Sequence, residues 1–94
     1  MRVRWTTPAR EQLLQAHKYI ADENRAAAAR MADIIWKSTQ LLGRHPMAGR
    51  TGRVAGTREL PIPGTPFIVA YQLQKNEVRI LAVMHAMRKW PDEF

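Results

Sequence analysis

The last third of the sequence carries the pattern that most constrains the fold. Phe67, Val69, Tyr71 and Leu73 alternate with Ile68, Ala70, Gln72 and Gln74; further on, Val78, Ile80, Ala82 and Met84 alternate with Arg79, Leu81, Val83 and His85. A two-residue period is that of a β-strand. Lys75-Asn76-Glu77 between the two runs leaves room for a tight turn only. Both faces of both runs are largely apolar, the mark of central strands covered at least in part on each side. A layer of helices can cover one face. The other must then meet a groove, a partner or the C-terminal tail.

The first half of the chain supplies that helical layer. Val3 and Trp5 alternate with Arg2 and Arg4 as in a short strand. Thr7 then stands as a helix cap, with Pro8 at the first helical position, where its missing N–H costs nothing. Ala9, Leu13, Ala16 and Ile20 recur at helical spacing and form an inward face. Asp22-Glu23-Asn24 interrupts that stripe, and Asn24 caps a second helix with Ala27, Met31, Ile34, Ile35, Leu41 and Leu42 on its apolar side. Gly43 falls where a helix end favours a left-handed residue, and His45-Pro46 prevents continuation. Two helices joined by so short a turn make an antiparallel hairpin. Residues 43–56, with Gly43, Gly49, Gly52 and Gly56, read as a basic loop, and Thr57 to Ile62 as an extended segment. The expected fold is α+β: an N-terminal strand and a helical hairpin packed on an antiparallel sheet that three C-terminal strands complete. Ninety-four residues suit a single domain spanning 1–94.

Charge narrows the function. Fifteen Lys and Arg against eight Asp and Glu give a net charge of +7, a field that attracts nucleic acid, an acidic protein or another polyanion. Arg44, Arg50, Arg53 and Arg58 crowd one glycine-rich stretch, and Arg79, Arg88 and Lys89 follow near the C-terminus. The planar guanidinium fork suits phosphate and carboxylate. With no cysteine, disulfides and thiolate metal sites are ruled out. His17, His45 and His85 lack metal-ligand spacing, and there is neither a phosphate-binding loop nor a dinucleotide fingerprint, so no cofactor is expected. The N-terminus lacks the apolar core of a signal peptide and no run of about 18 apolar residues occurs, so a cytoplasmic protein without a membrane role is expected.

Two residues stand out as chemical candidates. Strand alternation sets Arg58 on the face of Leu60 and Ile62, pointing into a lined cleft or paired to a helix acid such as Asp33. His85 ends its strand on the face of Arg79, Leu81 and Val83, as a structural histidine or a proton-transfer group. Cleaving RNA through its own 2′-hydroxyl needs a base, an acid and cations on the developing phosphorane. Arg58, His85 and Arg88 are the residues that can supply them. Of the tryptophans, Trp5 reads as core, Trp36 as a flank of the core or a partner surface, and Trp90 as an anchor folding the tail onto the sheet, with base stacking as the sharper alternative.

Taken in order, several segments resemble the RelE/ParE toxin family over nearly the whole chain. They are Trp5-Thr6 with Ala9 and Leu13, Tyr19-Ile20, Leu42 through Pro46, Gly49-Arg50, and Gly56-Thr57-Arg58-Glu59-Leu60. Pro66 through Tyr71 and Val78 through Leu81, running on to His85 and Arg88, complete the set. The resemblance implies a toxin of a type II toxin–antitoxin system, held by an acidic antitoxin through which it oligomerises. RelE-like members cut messenger RNA on the ribosome; ParE-like members poison DNA gyrase and are not nucleases. Arg58 matches the strand arginine of the RelE group and His85 lies near a catalytic histidine of some members. Against that, Phe94 has no hydroxyl and the loop before Arg58 has no lysine. Leu81 through His85 looks equally like the ParE pattern, and the gyrase-poisoning branch is preferred, with a ribosome-dependent ribonuclease as the alternative. Target contacts are then expected at Arg50, Arg53, Arg79, Lys89 and Trp90. A basic nucleic-acid-binding module without toxicity is the competing class.

Overall fold

The computed structural model describes residues 1–94. Strand β1 (Arg2–Trp5) leads into helices α1 (Thr7–Ala21) and α2 (Arg25–Leu41), followed by strands β2 (Arg50–Thr51), β3 (Arg58–Pro61), β4 (Phe67–Gln74) and β5 (Glu77–His85). The five strands form one sheet in the order β1-β5-β4-β3-β2. The apolar pair β4 and β5 is thus central, as its two-sided pattern requires. The α+β class stands, with one addition: β1 pairs parallel to β5, so the sheet is mixed. Parallel neighbours need a crossover, and the helical hairpin is that crossover.

Local chemistry explains the element boundaries. The cap of α1 is Thr6, one residue before the expected Thr7, and Pro8 is the second helical residue. Thr6 wins because its hydroxyl does two jobs. It accepts from the Ala9 N–H and donates to the Ile80 carbonyl at 2.7 Å, tying the helix start to β5. Asn24 caps α2 as expected, its Oδ1 accepting from the Ala27 N–H at 2.9 Å. Lys75 and Asn76 both take left-handed φ values, 50° and 61°, in a two-residue hairpin loop whose twist matches its strands. Gly43, by contrast, is not left-handed; the helix ends on the right-handed Leu42. What Gly43 supplies is room, since a Cβ there would lie 2.7 Å from the Met1 carbonyl oxygen, where the chain's N-terminus comes in. The expected loop 43–56 also contains β2, whose two residues pair with Glu59 and Arg58.

The core lies between the hairpin of helices and one face of the sheet. Ala9 of α1 and Met31 and Ile35 of α2 pack with Val69 and Tyr71 of β4 and Val78, Ile80 and Val83 of β5. That set breaks simple alternation in β5. Ala70 faces Ala82 while Tyr71 faces Ile80, so Leu81 is an extra, bulged residue. Beyond the bulge Val83 and His85 turn to the helix side, opposite Val69 and Phe67. His85 therefore does not share a face with Arg79, as strict alternation implied.

Tyr71 holds the loop after α2 against this core. Its hydroxyl donates to the Pro46 carbonyl and accepts from the Gly49 N–H, both at 2.8 Å. Tyr71→Phe strips both partners at a buried position and is expected to cost about 1–3 kcal/mol. Gly49→Ala is expected to cost a similar ~1–3 kcal/mol by overpacking, because its Cβ would meet the Tyr71 ring at 2.6 Å and the Glu59 carbonyl oxygen at 2.8 Å. Urea denaturation of each variant measures this, and a wild-type midpoint for Tyr71→Phe would contradict the account.

Candidate functional site

The face of the sheet away from the helices is organised by one carboxylate. Glu59 is the only acid between Asp33 and Glu77, in the stretch that holds Arg44, Arg50, Arg53 and Arg58. Its strand partner is Ala70, so it points away from the helices, yet it is only 2% exposed. An unpaired charge so placed would be strongly destabilising. Glu59 instead accepts from the Arg53 backbone N–H at 2.7 Å, from Arg53 Nε at 3.0 Å and Nη2 at 3.1 Å, and from Arg50 Nη2 at 3.2 Å. Burial pushes its carboxyl up, but these bonds outweigh burial and hold it below its ordinary value. The guanidinium of Arg53, fixed in this way, lies over the Trp90 ring at 3.8 Å, and Trp90 meets Phe94 edge to face at 6.4 Å. The C-terminal tail is thereby fastened to the second face of the sheet, as the anchoring reading of Trp90 expected. Glu59 was not singled out from the sequence. Its signal there was its solitude among arginines.

The structure divides the remaining candidates into separate groups. Arg58 faces Tyr71 across the strand pair and so lies on the helix side. Its only side-chain hydrogen bond is a long one from Nη2 to the Met47 carbonyl, 3.4 Å, and its buried Nε has no partner. Asp33 is not its counterion, being paired to Lys37 at 2.9 Å. His85 lies at the opposite end of the sheet, against Phe67 in a T-shaped contact of 5.7 Å. Between the register positions of Tyr71 and Phe67 run four residues of β4, roughly 13 Å, and β3 and β5 stand two strand spacings apart, roughly 10 Å. Arg58 and His85 are not brought together.

His85 does share a neighbourhood with Arg88 and Lys89. They line a groove of about 800 Å³ between α1 and the end of the β4–β5 hairpin, together with Gln12, Tyr19 and Phe67. His85 Nδ1 accepts the Met87 N–H at 3.1 Å, which leaves Nε2 to carry the proton of a neutral ring. No carboxylate lines this groove. Arg79 belongs to neither group. On the open face near β1, it donates to Gln74 Oε1 at 2.7 Å and stands 4.0 Å from Glu77. Of the five expected target contacts, then, Arg50, Arg53 and Trp90 gather round Glu59, Lys89 stands at the groove, and Arg79 lies apart.

The buried carboxylate makes stability depend on acidity. A group whose folded pKa lies below its unfolded one stabilises the fold above the unfolded value and loses that contribution as pH falls through the folded one. The wild-type melting temperature is accordingly expected to fall as pH drops below the ordinary glutamate value of 4.5. Glu59→Gln is expected to be less stable at neutral pH and to lack this part of the acid limb. Parallel melting curves of the two proteins from pH 7 to 3 test it; identical curves would contradict the role given to Glu59.

Comparison with known proteins places this arrangement. The sequence model of the family described as "ParE toxin of type II toxin-antitoxin system, parDE" matches residues 3–90. A relative in Sinorhizobium fredii named "Putative toxin Y4kP" is 39% identical over 90 residues, covering 96% of this chain and 93% of its own. A solved structure titled "Chromosomal ParDE TA system from P. aeruginosa" shares the fold with a TM-score of 0.80 at 24% identity, over 90% of this chain and 95% of that one. The match of family, relative and fold along almost the full length agrees with the element order derived above. The chain belongs to the ParE toxin family of type II toxin–antitoxin systems.

Proposed function

We propose that this toxin arrests growth by binding DNA gyrase in the cytoplasm, and that an acidic antitoxin holds it inactive. The observation that favours this over messenger-RNA cleavage is the separation of Arg58 from His85. Acid–base cleavage at a phosphate needs its proton-transfer group and its charge-stabilising cation within reach of one phosphorane. Here the histidine has one ring nitrogen occupied by a backbone N–H, and the strand arginine is at the far end of the sheet. Arg88 and Lys89, both exposed beside the groove, are the cations assigned to a target protein.

The same corner suits an antitoxin segment. Tyr19 is 80% exposed and Met87 87% exposed, next to Arg88 and Lys89. Apolar side chains ringed by cations fit an acidic, amphipathic chain that orders as it binds. Coupled folding of that kind gives a large negative heat-capacity change and salt-sensitive association. Titration calorimetry with the product of the neighbouring gene measures both; salt-independent binding with negligible heat-capacity change would point to a different interface.

Induced growth arrest, supercoiling by purified gyrase and transcript mapping together test the target. His85→Ala is expected to remain toxic and to inhibit supercoiling, leaving transcripts intact. Reversing charge at Arg88 and Lys89 is expected to weaken inhibition. If His85→Ala instead loses codon-phased transcript cuts by about 10²–10⁴-fold while supercoiling is normal with the wild-type protein, the gyrase reading is wrong and the ribonuclease reading stands.

A further inference from the structure

The two arginine clusters of this protein differ in how far the fold uses them. Around Glu59, the guanidiniums of Arg50 and Arg53 bond to one carboxylate at 3.0–3.2 Å. At the opposite edge of the sheet, Arg2 and Arg4 of β1, Arg10 of α1 and Arg79 of β5 line a single open cleft of about 900 Å³. The only acid among them is Glu77, which reaches Arg4 at 3.7 Å and Arg79 at 4.0 Å, both long for an ion pair. Arg79 donates from Nη1 to the neutral Gln74 at 2.7 Å, while its buried Nε has no partner. The first turn of α1, which also opens on this cleft, carries no acid, so its positive dipole end adds to the field.

An aromatic wall completes the cleft. Trp36 of α2 is 51% exposed and lies nearly parallel to Trp5, with ring centroids 6.3 Å apart and planes 23° apart. Trp5 packs against the core, so it backs Trp36 and fixes its plane. Strand alternation puts Arg2 and Arg4 on one face of β1 at the two-residue repeat, about 6.6 Å, with Arg79 beside Arg4 in register. A row of guanidinium forks suits phosphates, and a held indole face suits a base.

We propose that this edge of the sheet is a binding site for single-stranded nucleic acid, with phosphates on Arg2, Arg4, Arg10 and Arg79 and a base stacked on Trp36. The cleft turns the corner from the open sheet face, where Arg2, Arg4 and Arg79 stand, to the helix layer that carries Trp36. A flexible single strand follows that corner and offers an unstacked base; a duplex does neither without distortion. The site is distinct from the groove assigned to gyrase, and the proposal does not depend on that assignment.

Binding of a dye-labelled 12-nucleotide oligothymidylate and of the matching oligouridylate, read by fluorescence anisotropy of the strand over a salt series with tryptophan quenching alongside, tests it. The expected result with either strand is quenching, with log K falling against log salt at a slope of about −2 to −3, for three to four neutralised phosphates. Arg4→Gln and Arg10→Gln are each expected to weaken binding and to flatten the slope by about 0.7. Trp36→Leu is expected to weaken it about tenfold, with Trp36→Phe recovering most of the loss. Circular dichroism checks that each variant is folded, and Arg88→Gln with Lys89→Gln is expected to leave the affinity unchanged. The proposal is overturned if folded Arg4, Arg10 and Trp36 variants bind as the wild type does. Loss of binding in the Arg88 and Lys89 variant, or equal affinity and quenching with an oligoglutamate of the same charge, also overturns it.

Discussion

A hairpin that is apolar on both faces cannot be stabilised from one side. In β4 and β5, Val69, Tyr71, Val78 and Ile80 are buried toward the helices, while Ile68, Ala70 and Ala82 are buried on the reverse. The helical hairpin provides the first cover through a continuous apolar core, which is non-directional and tolerant of detail. On the second side lie the segment around Val54 and the C-terminal tail, and the attachment there is ionic. Glu59 fixes Arg53, and Arg53 lies on Trp90. One sheet thus uses two different kinds of adhesion, a greasy layer on one face and, on the other, a buried carboxylate held by half-exposed arginines.

Most of the fold was legible because periodicity reports burial directly. The strand at 2–5, both helices, the Asn24 cap and the β4–β5 pair follow from spacing alone. The features that were misread depend on partners distant in sequence. Thr6 rather than Thr7 starts α1 because of a bond to Ile80, on a strand that comes late in the chain. Gly43 is there for the chain's own N-terminus. Strand β2 has two exposed residues and no alternation, and its identity comes from pairing with β3. In the candidate site, Arg53 and Trp90 were recognised as residues of interest, whereas the acid that organises them was not, since a lone glutamate in a strand carries no periodic signal.

The distribution of charge has a physical logic beyond the net excess of +7. Arginines that the fold consumes are those next to Glu59, where short bonds offset the cost of burying the carboxylate. The others stand at the β1 edge, where one carboxylate is shared at 3.7 and 4.0 Å, and at the groove beside His85, which no carboxylate lines. The surplus cations therefore stand at two separate corners, with no lining residue in common.

The bulge at Leu81 bears on how this chain is to be aligned with its relatives. An inserted residue changes the side of the sheet on which every later side chain of the strand emerges. A relative with a strand of the same length but no bulge, and the same letters at its end, would carry its histidine on the reverse surface, facing a different environment altogether. Between two such chains, correspondence of position and correspondence of role part company after Leu81, and a function transferred along an ungapped alignment past that point would be assigned to the wrong surface.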